Sequence, residues 1–112
     1  MKVKLSKSAT YFKDGKEVKI DSLELDFDRL TGNDIFEVER EMTMMGHPIG
    51  TQFIQSSKAL AMLGAKAAGV PTFLVDTLPV LDTFNIGLFV RGFLMGLPIV
   101  SERPKELEVP QL

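Results

Sequence analysis

The sequence predicts an α+β fold, an N-terminal β-hairpin packed on a small bundle of three main helices. Three observations carry this. The first thirty or so residues alternate apolar and polar with a period of two, the signature of strands with one wet face. Three later stretches place apolar residues at helical spacing, each closed by a glycine. A chain of 112 residues suits one domain with one modest core. The predicted domain spans residues 1–97, and residues 98–112 form a polar tail that carries Pro104, Pro110 and five charges.

In the hairpin, expected over residues 2–27, Val3, Leu5, Ala9 and Tyr11 share one parity, and Lys4, Ser6, Ser8 and Thr10 share the other. Asp14-Gly15, between Lys13 and Lys16, tolerates the positive φ angles of a tight turn. The return strand carries Val18 and Ile20, then Leu23, Leu25 and Phe27. The parity changes across Asp21-Ser22, which predicts a β-bulge or break there. A lone hairpin is marginal in water, so its apolar face needs cover from helices or from another copy.

The first helix is expected over about 32–45. Thr31 with Asp34 resembles a capping box, Leu30 with Ile35 a hydrophobic staple, and Ile35, Val38, Met42 and Met45 form one stripe. The second is expected over 49–68, with Phe53, Leu60, Leu63 and Ala67 on one face and small residues on much of the rest. Small residues admit a close neighbour. A helical turn is expected from Pro71 to Asp76. The third helix, 80–95, is apolar over more than half its circumference. Its Gly87 and Gly92 each cost roughly 1 kcal/mol relative to Ala, tolerable where another backbone packs against them.

Several function classes lose support. Cysteine is absent, so neither disulfides nor thiolate metal sites are available. The chain opens on alternating lysines and apolar residues, which is no secretory signal, and every apolar stretch breaks before the ~18 residues a membrane span requires. The expected compartment is the cytosol. Net charge is −2, and the six N-terminal lysines, Lys2 to Lys19, are interleaved with Asp14, Glu17 and Asp21. That pattern reads as a solvated hairpin face, not as a nucleic-acid footprint.

No catalytic constellation stands out. The single histidine, His47, lies in a Gly-His-Pro loop without a second metal ligand. Asp26 and Asp28 flank Phe27 on a predicted strand and read as solvated carboxylates. No phosphate-binding glycine loop is present, and Ser56-Ser57 lacks a base and a nucleophile elbow. Asp82, near the start of the third helix, reads as a helix cap. The expectation is a binding protein with no cofactor, not an enzyme.

Residues 47–95 hold only Lys58, Lys66, Arg91, Asp76 and Asp82 as formal charges, among many Phe, Leu, Ile and Met residues. So small a domain has little interior for that much apolar surface, so part of it is expected to face a partner.

The order of elements resembles a known family. Val3-x-Leu5-x-Lys7, Asp14-Gly15-Lys16 and Leu23-x-Leu25 lead into Leu30-Thr31-Gly32-Asn33-Asp34 and the acidic Glu37-Val38-Glu39-Arg40-Glu41. Ala67-Ala68-Gly69-Val70-Pro71 follows, then Leu78 with Asp82, and finally Phe89-Val90-Arg91-Gly92-Phe93-Leu94. Over about residues 2–95 this is similar to the tail assembly chaperones of tailed bacteriophages and prophages, in particular the Mu-type tail assembly family. The resemblance implies a helper in the cytoplasm of the bacterial host that binds the tape measure protein, and with it the tail-tube protein, while the tail assembles. Candidate partner contacts are Met62, Phe84, Phe89, Phe93 and Met95. Nucleic acid and membrane are not expected partners. The hairpin edge and the apolar third helix favour a homo-oligomer. The alternative is a structural tail or neck subunit retained in the virion.

Overall fold

A computed structural model describes residues 1–50 and 52–96. The polar tail expected over 98–112 lies outside the described residues. Strands β1 (Lys2–Lys13) and β2 (Lys16–Glu24) form a two-stranded antiparallel sheet. Asp14 and Gly15 both take positive φ, 54° and 79°, so this is the tight turn the sequence asked for. Helices α1 (Gly32–Met44), α2 (Ser57–Ala68) and α3 (Val80–Leu94) follow. The α+β architecture expected from the sequence is the one observed.

The register shift lies where parity changed, but the extra residues are on the other strand. Lys4 pairs with Ser22 and Ala9 with Ile20, so Leu5 to Ser8 stand opposite Asp21 alone. β2 ends at Glu24, earlier than expected, and Phe27–Arg29 is a 3-10 turn. Asp26 therefore caps a turn, accepting from the Asp28 amide at 3.1 Å, and does not share a strand face with Asp28. The hairpin is tied to the bundle here: the Asp26 amide donates to the Ala67 carbonyl at 3.1 Å, and Phe27 stacks on Phe93 with ring centroids 4.6 Å apart.

Helix α1 begins as predicted, with the Thr31 amide donating to Asp34 Oδ2 at 2.8 Å. Val38 and Met42 are buried, and Ile35 and Leu30 pack partly against the core. Met45 leaves the expected stripe because the helix ends at Met44, and it is exposed. Helix α2 starts eight residues later than predicted. Gly50 has a positive φ of 61°, Phe53–Gln55 is a separate 3-10 turn, and Ser56 Oγ caps α2 by accepting from the Ala59 amide at 3.1 Å. A 3-10 segment, Thr72–Thr77, occupies the place of the helical turn expected after Pro71.

The core gathers Val3, Leu5, Leu23 and Leu25 of the hairpin region under α2, joined by Val38, Leu74, Ile86 and Val90. Gly64 lets α3 approach: a Cβ there would collide with Ile86 Cγ2 and lie 3.3 Å from Val90 Cγ2. Gly87 also faces a neighbour, with Leu60 Cβ 3.7 Å from the place a Cβ would take, whereas Gly92 has nothing within 4 Å. A methyl group at Gly87 would sit at ordinary van der Waals distance, so close packing requires neither of the two α3 glycines.

Candidate functional site

Helix α3 turns Asp82, Ile86, Gly87 and Val90 inward. The opposite face is left uncovered: Val80, Phe84 and Leu88, one stripe at a spacing of four, are 81%, 55% and 46% exposed. Leu81 is exposed as well. A large apolar side chain in water forgoes roughly 1.5–3 kcal/mol of burial, so such a row is informative.

Val80, Phe84 and Leu88 form one wall of a groove of about 640 Å³. Leu60, Val75 and Leu78, all nearly buried, lie beneath it, and Ile54 closes one side. The wall is braced by Thr83 Oγ1, which donates to the Val75 carbonyl at 3.2 Å. Gln55, Ser57 and Arg91 supply a thin polar rim. From Val80 to Arg91 the groove follows about 16 Å of helix at 1.5 Å per residue, the length of three turns of a partner helix. An apolar floor with sparse polar edges suits an amphipathic helix laid in from outside.

The five contacts expected from the sequence fall in separate places. Phe84 lines the groove. Phe89 is half-buried against the core, and Phe93 is engaged with Phe27. Met95 is exposed just past the end of α3. Met62 is 2% exposed and borders a second depression formed with Met44, Met45 and Phe73. The sequence reading missed Val80 and Leu88, although their spacing about Phe84 carries the signal.

Asp82 is not the cap it was expected to be, since it makes no capping bond at the start of α3. Its carboxylate is 5% exposed and accepts from both the amide and the hydroxyl of Ser6, each at 2.9 Å. The wide bulge in β1 brings Ser6 to it. Two donors satisfy this buried oxygen, so Asp82 fastens hairpin to helix.

Elsewhere the polar contacts tie neighbouring elements, as Lys66 of α2 does to Glu37 of α1 at 2.7 Å and Thr72 to Glu41 at 3.0 Å. His47 is exposed, beside Met42, Ile49 and Gln52. Among the described residues no group of three His, Cys, Asp or Glu side chains could hold a metal ion, and no helix is long and apolar enough to cross a membrane. Compared with protein-family models, curated proteins and solved structures, the chain matches none.

Proposed function

We propose that this chain is a tail assembly chaperone of a bacteriophage or prophage, a non-enzymatic protein that holds apolar helical stripes of the tape measure protein while the tail is built. The observation that carries the binding role is the exposed row Val80, Phe84 and Leu88 above the floor of Leu60, Val75 and Leu78. The order of sequence elements supplies the tail-assembly setting. A groove of this kind recognises shape and apolarity more than sequence, which suits a partner with many similar helical segments. Moderate affinity at each segment, repeated along a long partner, permits both retention and later release.

Co-expression with the tape measure protein of the same genome tests the reading. The expected result is soluble, salt-resistant co-purification that is lost when Phe84→Asp and Leu88→Asp are combined. Both side chains are exposed, so unchanged circular dichroism and melting show whether the variant still folds. A tape measure protein that precipitates regardless overturns the proposal. Mass spectrometry of purified particles provides the second arm: a chaperone is absent from them, and its presence identifies a structural tail or neck subunit instead.

A further inference from the structure

The α3 groove lies within reach of a further stretch of its own chain. Helix α3 ends at Leu94, and Gly96, at a φ of 74°, turns the chain off the helix axis. Sixteen residues follow, 97–112, outside the described ones. Their composition is uneven. Ser101 to Glu106 hold four charges, a serine and a proline, whereas Leu107-Glu108-Val109-Pro110-Gln111-Leu112 is apolar at four of its six positions. A hydrated spacer therefore precedes an apolar plug.

Proline sets the form that plug can take. Pro110 lacks an amide donor and restricts Val109 to extended backbone, which opposes a helix. At the three residues per turn of polyproline II, Leu107 with Pro110 and Val109 with Leu112 make two apolar ridges, and Glu108 with Gln111 a polar third. Six such residues span about 19 Å at about 3.1 Å each, against about 16 Å of groove. Extended proline-bearing segments dock in grooves with aromatic walls, and Phe84 supplies one here.

Reach and charge agree with this occupant. Gly96 stands about 12 Å along the helix from Leu88 and about 18 Å from Phe84. The ten residues 97–106 give a flexible linker a root-mean-square span of roughly 17 Å, and a linker matched to its span maximises effective concentration. Arg91 is the one charged residue lining the groove and, among the described residues, has no ion pair. Glu108 is the one charge in residues 107–112.

We propose that residues 107–112 dock in the α3 groove of their own chain as an extended strap, running back from Arg91 toward Val80 with Glu108 beside Arg91. This regulates the site of the proposed function, and it rests on the groove being a docking face. The tether holds the strap at an effective concentration of about millimolar, so a weak contact keeps Phe84 and Leu88 covered. A partner helix displaces it, and the partner's apparent affinity is reduced by the fraction of chains whose groove is open.

A nitroxide label on the full chain tests this. The chain has no cysteine, so Gln111→Cys, on the polar ridge, takes a single label. The label is expected to broaden the amide signals of Thr83 and Gly87, both lining the groove, and reduction of the nitroxide should restore them. Adding Leu107→Asp with Val109→Asp should abolish the broadening, and so should Phe84→Asp with Leu88→Asp. Groove signals that stay sharp, or that broaden equally with and without those substitutions, overturn the proposal. Labelled chain mixed with unlabelled, nitrogen-15-enriched chain should leave the enriched signals sharp; broadening there means that the strap docks in a second copy, which also overturns it. Co-purification of the tape measure protein separates the two readings. Sharp groove signals with intact co-purification sink the strap alone, and a tape measure protein that precipitates with both the wild-type and the Leu107→Asp, Val109→Asp chains, beside a broadened groove, sinks the partner alone.

Discussion

Helices α2 and α3 are both rich in apolar residues, yet one is enclosed and the other is half in solvent. In α2 the seven residues from Ala59 to Ala65 are all buried, so every direction around that helix is covered. In α3, Ile86 and Val90 are fully buried while Val80, Leu81, Phe84 and Leu88 are exposed. The difference lies in position. α2 is packed against α1, α3, the 3-10 segment after Pro71 and the hairpin exit, whereas α3 leans mainly on α2 and β1, with Phe93 on Phe27 and Thr83 on the Val75 carbonyl. Alanine and glycine along α2 let those neighbours draw in around it, and α3 carries bulkier side chains at the periphery. Apolarity alone therefore does not separate core from exposed face; the number of directions the fold covers does.

The sharpest way to break this comparison is to shorten one residue on each face of α3. Ile86→Ala is expected to destabilise by about 2–5 kcal/mol, as fully buried aliphatic truncations do. Leu88→Ala should stay within roughly 0.5 kcal/mol, as exposed substitutions do. Urea unfolding measures both, and equal losses would mean the two faces are equally packed. A second pair compares glycines. Gly64→Ala forces a methyl group into Ile86 and is expected to cost about 1–3 kcal/mol. Gly92→Ala meets open space and should gain about 0.5–1 kcal/mol in helix propensity.

The smallest expected effect concerns α1 and α2. Lys66 hydrogen-bonds Glu37 at 2.7 Å and holds its carboxyl below the ordinary value of 4.5, first through that hydrogen bond and then through its charge. A carboxyl lowered by folding stabilises the protein above its unfolded pKa, and loses that contribution as pH falls through the folded value. The stability difference between wild type and Glu37→Gln should therefore be constant near neutrality and shrink below pH 4.5. Denaturant midpoints over an acid pH series would follow it.

The comparison also explains what could be read in the sequence. The hairpin, the α1 cap and the glycine that closes α2 depend on neighbours in the chain, and the residues Asp14-Gly15, Thr31 with Asp34, and Gly69 at φ 74° announce them. The start of α2 was misplaced because Phe53 and Ile54 continue the apolar pattern upstream. Ser56, three residues before Ala59, held the better signal. The groove was legible only in part. Phe84 stood out as aromatic, but Val80 and Leu88 look like ordinary core residues until the uncovered face of α3 is known. Asp82 was misread because its partner, Ser6, is 76 positions away, and no local pattern reveals such a pairing.

That pairing also bears on the order of events during synthesis. The hairpin leaves the ribosome before the helices, and the carboxylate that fastens its bulge follows 76 residues later. At translation rates of 5–20 residues per second, Ser6 waits roughly 4–15 seconds for Asp82. Through that interval Val3 and Leu5 lack their final cover. The nascent chain is then most exposed to mispairing at the hairpin, and completion of α3 closes the fold as a long-range step.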